Sequence, residues 1–168
     1  MPKIIENLES RLIAEARRQI KAQGYGAVTI RSVAAAVGVG VGTVYNYFPS
    51  KDDLLAAYML SDWNACIDAI HAVSTGAQSP ETVVRCMFDQ LCAFSDQYES
   101  LFRDPAAIAG FAPSYARYHT VLRSQLANPI RKFCADDFTA EFVAEALLTW
   151  TLAGKSFDEI YGIIEKLL

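Results

Sequence analysis

Several features that define other classes of protein are missing from this sequence of 168 residues. No apolar run reaches the ~18 residues that cross a bilayer. The N-terminus has no apolar signal core, so we expect a cytoplasmic protein. Pro and Gly are scarce, at six and nine residues, which excludes a fold built mainly from loops. Since 52% of the residues are hydrophobic and 20% are charged, the chain is predicted to fold around an apolar core.

Side chains with catalytic or metal-binding chemistry are also few. The two histidines, His71 and His119, join no Ser/His/Asp set and no metal cluster, and the sequence has no phosphate loop. We therefore expect no enzyme activity, no metal and no cofactor. In a cytoplasmic protein the cysteines should be reduced and mostly buried, although a thiol-based redox sensor stays open as an alternative. Neither CxxC nor zinc spacing connects the four cysteines, which are Cys66, Cys86, Cys92 and Cys134.

Charge is distributed unevenly along the chain, although the net charge is only −4. Residues 1–51 hold seven Lys or Arg and three acidic residues, a net charge of +4. The rest of the chain holds eight basic and sixteen acidic residues, a net charge of −8. A basic N-terminal segment on an acidic body is typical of a protein that binds nucleic acid at one end.

Apolar residues recur at helical spacing, and no stretch has a clear strand pattern, so the sequence predicts an all-α fold. The first helix is predicted over 4–23 and ends at Gly24, with an apolar stripe of Leu8, Leu12, Ala16 and Ile20. Two short helices follow, with Thr29 and Gly40 as their N-caps and Gly38 between them. Further helices are expected at 51–73 with Ser50 as the cap, at 80–98, as a short segment between prolines at 106–112, at 114–133 with a kink or break at Pro129, at 137–153 and at 156–167.

The short helices at the basic end predict a helix-turn-helix over about residues 29–48. Ala34 is small enough to let its two helices pack closely, and Gly38 permits the positive φ of the turn between them. In the second helix, Gly42 would let the backbone approach DNA closely. Lys51, at a helix start, would offer an ammonium group and backbone N–H groups to a phosphate.

The same region contains a specific run of residues. It reads Gly42-Thr43-Val44-Tyr45-Asn46-Tyr47-Phe48, followed by Ser50-Lys51, and it is preceded by Gly24-Tyr25 and by Thr29-Ile30-Arg31-Ser32-Val33-Ala34. Over about residues 6–66, this pattern resembles the DNA-binding domain of the TetR family of bacterial repressors. Gly40 departs from the resemblance, since the family often has Ser or Thr there, and so does Ile20, where Phe is common. The resemblance implies an all-helical homodimer, a two-fold palindromic operator and an inducer pocket in the C-terminal domain.

By this resemblance the chain divides into a helix-turn-helix domain at 1–52 and a helical regulatory and dimerisation domain at 53–168. Tyr45 is expected at the groove edge, and Tyr47 and Lys51 on phosphates. Packing stays an alternative role for the two tyrosines, capping for Thr29, a solvated charge for Arg31 and a helix-end charge for Lys51. The candidate DNA-binding residues are Thr29, Arg31, Gly42, Thr43, Tyr45, Asn46, Tyr47 and Lys51, among which Thr43 and Asn46 are expected to vary with the operator.

Aromatic side chains on successive helices of the C-terminal part can line a pocket for a small apolar ligand, or they can simply form the core. The pocket candidates are Trp63, Cys66, Phe88, Phe94, Tyr98, Phe111, Tyr115, Tyr118, His119 and Trp150. A monomer would have difficulty covering the wide apolar faces of the last two helices, so we predict an isologous homodimer. The candidates for its interface are Phe142, Leu147, Trp150, Phe157, Ile160, Tyr161, Ile164 and Leu167.

These features predict a sequence-specific DNA-binding transcriptional regulator, most simply a repressor that a small-molecule inducer releases from its operator. The inducer would favour a conformer whose recognition helices are not ~34–36 Å apart, the spacing of successive major grooves. The helix that begins at Lys51 is the expected connection between pocket and DNA-binding head. Besides the redox sensor, a regulator that recruits a protein partner without any inducer is the alternative. A packed C-terminal domain without a cavity would favour that alternative.

Overall fold

A computed structural model describes residues 7–168, apart from the side chains of Ala106 and of residues 110–117. All the regular elements in these residues are helical, which confirms the predicted all-α fold. Two 3-10 segments lie at Tyr25–Ala27 and Asn128–Phe133. The α-helices are α1 (Leu8–Gln23), α2 (Ile30–Val37), α3 (Val41–Tyr47), α4 (Lys51–Gly76), α5 (Pro80–Gln97), α6 (Glu99–Phe102), α7 (Pro105–Ala127), α8 (Asp137–Leu152) and α9 (Phe157–Ile164).

The chain forms two compact units, and both α4 and α7 contribute residues to each of them. The first unit is Met1–Ser61 with Glu99–Ser114, of which residues 1–6 lie outside the described part. The second unit is Asp62–Tyr98 with Tyr115–Leu168. The structural division therefore falls inside α4, nine residues beyond the predicted boundary after residue 52. Charge and motif pattern marked the end of the helix-turn-helix, whereas the compact unit also includes the first turns of α4.

In the first unit, α1 buries a stripe of residues that recurs every fourth position, namely Leu8, Leu12, Ala16 and Ile20. This stripe was predicted from the apolar periodicity. The helix ends at Gly24 as expected, and its predicted start at residue 4 lies outside the described residues. α1 contacts α2, and α2 contacts α3. These contacts hold α2 and α3, which contain most of the candidate DNA-binding residues.

The second unit is organised around α5 and α8, which contact each other and both contact α9 and the Asn128–Phe133 segment. Its core includes Ile70, Met87, Leu91 and Leu147, all fully buried. Lys132 closes the end of α4, because its Nζ donates to the carbonyl of Ser74 at 2.7 Å and to that of Ala77 at 3.0 Å. None of the helices in residues 7–168 combines the length and apolar character needed to cross a membrane.

Two predictions of a helix break were made from prolines, and the structure confirms only one of them. Pro113 lies inside α7, so the prediction of separate helices at 106–112 and 114–133 was wrong. A proline removes one helical hydrogen bond, but the bonds on either side remain, and here the helix continues through it. Pro129 does end the α-helix, since α7 stops at Ala127 and a 3-10 segment follows. The break predicted there is confirmed.

Candidate nucleic-acid interface

The turn of the helix-turn-helix is built from local hydrogen bonds. Thr29 is the N-cap of α2: its Oγ1 accepts from the Ser32 N–H at 3.0 Å, and its own N–H donates to Ser32 Oγ at 3.1 Å. α2 ends at Gly38, whose φ is +78°, the left-handed region that favours glycine. The N–H groups of Gly38 and Val39 both donate to the Ala34 carbonyl, at 3.0 and 2.9 Å. These contacts confirm the predicted caps and the predicted turn.

The short helix α3 separates buried from exposed positions sharply. Val44 is fully buried, and Phe48, directly after the helix, is buried as well. Tyr45 and Tyr47 are 50% and 46% exposed, and Asn46 between them is exposed too. With about half of each side chain exposed, neither tyrosine is enclosed in the core of the first unit. The packing role considered for the two tyrosines is therefore disfavoured.

The other candidate DNA-binding residues also lie at the surface of the first unit. Thr29, Arg31 and Gly42 are exposed, and Thr43 and Lys51 are half-buried. A Cβ atom built on Gly42 would meet no atom within 4 Å, and glycine inside a helix is less favourable than alanine. The fold of the chain therefore gives no reason for glycine at position 42.

The start of α4 contains a set of contacts that the sequence pattern did not reveal. Lys51 Nζ donates to the Tyr25 carbonyl at 3.0 Å and lies 3.6 Å from the centroid of the Tyr25 ring. The Tyr25 hydroxyl donates to the carboxylate of Asp52. Burial, and then this carboxylate, raise the pKa of the Tyr25 phenol, which stays a donor at neutral pH. Ser50 Oγ accepts from the Asp53 N–H at 3.1 Å, which confirms Ser50 as the predicted cap.

A second polar chain, also missed by sequence reasoning, connects α1 to α2. The buried Gln19 accepts a hydrogen bond from Ser32 Oγ at 2.7 Å and donates through Nε2 to Glu15 at 2.7 Å. Arg18 makes two further bonds to Glu15, at 2.6 and 2.8 Å. The bonds from Arg18 and then Gln19 lower the pKa of Glu15 to about 2. Gln19 is an uncharged polar residue next to Ile20 of the α1 stripe, and its position was the signal in the sequence that could have predicted this contact.

In the second unit, the described pocket candidates are mostly packed into the core. Trp63, Cys66 and Tyr98 are buried, and Phe88 and Phe94 pack partly buried against the core. Trp63 Nε1 donates to Gln125 Oε1 at 2.8 Å, and the Tyr98 hydroxyl donates to Asp62 at 2.7 Å. Tyr118 and His119 are half-buried, Trp150 is half exposed, and the side chains of Phe111 and Tyr115 lie outside the described part.

One groove of about 540 Å³ lies in the second unit, along α5 and the end of α4. None of the predicted pocket residues lines this groove. Its walls carry Val73, Glu81, Thr82, Arg85, Cys86, Asp89 and Gln90. The inducer pocket and its residues therefore stay a prediction.

The cysteines have the environment of ordinary thiols. Burial raises the pKa of Cys66 to about 11. The pKa of each of the other three is also raised, first by burial and then by nearby aspartates. A redox-sensing thiol needs a lowered pKa, so these surroundings disfavour the redox alternative.

The predicted interface residues of α8 and α9 fall into two groups. Leu147, Phe157, Ile160 and Ile164 are buried in the core of this chain, so they offer little area to a partner. Helical periodicity identified apolar positions but not which neighbour covers them. Phe142, Trp150 and Leu167 are exposed, and Tyr161 is half-buried and stacks on Phe157 with ring centroids 5.1 Å apart. Phe138, at 76% exposed, was not on the predicted interface list.

Comparison with known proteins gives matches over the helix-turn-helix. The model of the family described as bacterial regulatory proteins, tetR family, matches residues 12–58. The HTH-type transcriptional regulator HbdR of Aromatoleum sp. (strain CIB) is 37% identical over 54 residues. That alignment covers 32% of this chain and 24% of HbdR, so the chain matches about a quarter of its relative's length.

Solved structures show the same fold over nearly the whole chain. FadR of Thermus thermophilus, a TetR-family transcriptional repressor solved in complex with lauroyl-CoA, has a TM-score of 0.66 at 19% identity, covering 95% of this chain and 92% of its own. RolR, solved without ligand, has a TM-score of 0.62 at 22% identity, with 94% and 89% covered. Residues 12–58 therefore match the model of the tetR family of bacterial regulatory proteins, and nearly the whole chain shares the fold of these solved structures.

Proposed function

We propose that this protein is a sequence-specific DNA-binding transcriptional regulator that acts as a homodimer on a palindromic operator. The observation that carries the proposal is that α3 has one buried position and several exposed polar and aromatic side chains. Val44 fixes the helix to the domain, while Tyr45, Asn46 and Tyr47 are exposed on a seven-residue helix that follows a helix-turn-helix turn. Side chains of this kind hydrogen-bond to base edges and phosphates in a major groove.

Charge supports the same function. Residues 1–51 carry a net charge of +4 on a chain of net charge −4. The basic segment holds every candidate DNA-binding residue. Attraction to the phosphate backbone supplies most of the affinity of such proteins and makes that affinity depend on salt.

The DNA-binding proposal is tested by fluorescence anisotropy on duplexes that tile the DNA upstream of the protein's own gene. One duplex should bind more tightly than its shuffled counterpart. Tyr45→Ala and Lys51→Ala should weaken binding while thermal melting stays near that of the wild type. Loss of one phosphate contact should reduce the slope of log K against log salt by about 0.9 in Lys51→Ala. An unchanged slope would remove Lys51 from the contact residues.

Dimerisation is supported by the apolar side chains that α8 exposes. Phe138 and Phe142 lie on one face of the helix with ring centroids 6.4 Å apart, and Trp150 and Leu152 are exposed further along. Ile163 on α9 is 65% exposed. Two large aromatic side chains exposed side by side, as Phe138 and Phe142 are, favour an interaction surface. A second copy with the same face would cover them across a two-fold axis.

We further propose that the regulator is a repressor released by a small apolar inducer bound in the second unit. Thermus thermophilus FadR, which shares the fold, was solved with lauroyl-CoA, and the acyl chain of that ligand supports an apolar portion in the proposed inducer. α4 contributes to both units and is the proposed connection between ligand and DNA. A ligand that binds the DNA-incompetent conformer more tightly shifts the population off the operator.

A regulator that acts through a protein partner, without inducer, is the second candidate. It is favoured by the packing of Trp63, Cys66 and Tyr98 into the core. A panel of fatty acids and acyl-CoA esters separates the two candidates by thermal shift and by release of labelled operator. Under the inducer proposal at least one compound raises the melting temperature and releases DNA. If every compound leaves both unchanged, the second candidate is preferred.

A further inference from the structure

The first turn of α4 presents an electrostatic problem for a surface that meets phosphate. It contains Lys51, which has one positive charge, and Asp52 and Asp53, which have two negative charges. Acidic residues suit the positive end of a helix dipole, but beside a phosphate they oppose binding. The side chains must therefore be arranged so that the ammonium group, and not the carboxylates, is presented to the DNA.

Both carboxylates of this turn are engaged within the domain. Asp53 Oδ2 accepts from Ser50 Oγ at 2.7 Å, and the Asp53 N–H donates to the same hydroxyl at 3.1 Å. Asp52 accepts from the hydroxyl of Tyr25. Tyr25 is buried and belongs to the 3-10 segment between α1 and α2, 27 residues before Asp52. The Asp52 carboxylate is thus bonded to a buried residue of the first unit.

The same tyrosine holds the cation. Its carbonyl accepts from Lys51 Nζ at 3.0 Å, and the face of its ring lies 3.6 Å from that nitrogen. An ammonium group has three donors, and the carbonyl uses one of them. A lysine side chain is otherwise flexible and loses conformational entropy when it is fixed. Fixing Lys51 before DNA arrives removes that cost from binding.

We propose that Tyr25 is a positioning residue of the DNA interface, which holds the Lys51 ammonium with its ring and carbonyl and ties back the Asp52 carboxylate with its hydroxyl. This inference rests on the proposed DNA-binding function and adds a residue that does not itself face the groove. The contact between Lys51 and Tyr25 is retained when phosphate binds, because the remaining donors of the ammonium serve the phosphate.

The test is a double-mutant cycle on the full chain, read by anisotropy on the bound duplex as a function of salt. Tyr25→Leu removes ring and hydroxyl, and Lys51→Ala removes the cation. Tyr25→Leu should weaken operator binding roughly two- to fivefold, the range of a cation–π contact. It should also reduce the salt slope by up to about 0.9, the value for loss of one phosphate contact. Lys51→Ala should then change both quantities less in the Tyr25→Leu background than in the wild type.

A merely structural role for Tyr25 gives a different result. Tyr25→Leu would then lower thermal stability while the salt slope stays that of the wild type, and Lys51→Ala would have its full effect in both backgrounds. That outcome overturns the inference. Tyr25→Phe keeps the ring and the carbonyl but releases the Asp52 carboxylate. It should keep the wild-type salt slope and bind the operator more weakly, because the released carboxylate repels the phosphate. A reduced slope, or wild-type affinity, in this variant would count against the inference.

A measurement on the wild-type protein covers the case in which Tyr25→Leu does not fold. The ε-methylene protons of Lys51 should resonate upfield of their usual position, because they lie over an aromatic ring, both in the free protein and on the operator. Protons at their usual position in the DNA complex would overturn the inference. If the wild-type chain binds no duplex with preference, the proposed function itself fails, which is a separate result from an unchanged slope in Tyr25→Leu.

Discussion

At the scale of single residues, Gly42 is the clearest case of a residue whose identity the fold does not require. It lies inside α3, and a Cβ atom there would meet nothing within 4 Å. Gly42→Ala should therefore raise the free energy of unfolding by up to ~1 kcal/mol. It should nevertheless weaken operator binding, because the added methyl group would lie between α3 and the DNA. Urea melts and anisotropy on the same preparation measure both effects.

The control for Gly42 is Gly162→Ala on α9, where an added Cβ also meets no atom within 4 Å. This variant should gain stability and bind DNA as the wild type does. If Gly42→Ala also binds DNA as the wild type does, the prediction that DNA lies close to α3 at Gly42 is wrong.

Glu15 makes a pH-dependent contribution to stability. Its bonds to Arg18 and Gln19 lower its pKa from 4.5 to about 2 in the folded chain. A carboxyl group with a lowered folded pKa stabilises the protein above its unfolded pKa, and the contribution is lost as the pH falls toward the folded value. Urea melts should show Glu15→Gln less stable than wild type above pH 4.5, with the difference disappearing toward pH 2.

At the scale of elements, the N-cap of α2 separates a structural role from a DNA-binding role. Thr29 Oγ1 accepts from the Ser32 N–H, and replacing such a cap by alanine costs ~1 kcal/mol. Thr29→Ala should therefore lower the free energy of unfolding by about that amount, whereas Thr29→Asp should keep the cap. If Thr29 also faces phosphate, Thr29→Asp should weaken operator binding through charge repulsion. Wild-type binding by Thr29→Asp would leave Thr29 as a cap alone.

Besides the all-α fold, the sequence could predict those helix ends that depend on residues close by in the chain. Thr29, Gly38 and Ser50 each act within three or four residues of their own position, and each lies where the pattern put it. The continuation of α7 through Pro113 and of α4 to Gly76 could not be predicted. In those segments local propensity was outweighed, and packing in the folded chain decides the helix end.

In the candidate site, too, local features could be predicted from the sequence and contacts between distant residues could not. Exposure of Tyr45 and Tyr47 follows from the burial of Val44 and Phe48, which flank them along the chain, so sequence spacing was enough. The contact of Lys51 with Tyr25 spans 26 residues and that of Ser32 with Gln19 spans 13. Such pairs depend on how the helices pack, and a single sequence does not specify which polar residues meet.

At the scale of the whole molecule, the account depends on a dimer formed through the exposed face of α8. Phe142 is 51% exposed there, and Phe142→Glu would bury a charge in the interface, which is costly without a partner. We expect this variant to elute as a monomer in size-exclusion chromatography with light scattering, with helical content unchanged. Operator binding should fall steeply, because each subunit would have to bind its half-site alone.

Val121→Glu is the matched control, since Val121 on α7 is as exposed as Phe142. It should remain dimeric and bind DNA normally. A dimeric Phe142→Glu variant, or a wild-type protein that is monomeric at micromolar concentration, would exclude α8 as the dimer interface.

Selection of bound duplexes from a random pool tests the central claim most directly, because it assumes no operator. The account predicts enrichment of one two-fold symmetric sequence, with two chains per duplex and half-sites about one helical turn, or a multiple of it, apart. Tyr45→Ala should enrich it more weakly. A pool that stays random after repeated rounds, or an enriched sequence without two-fold symmetry, would contradict the account.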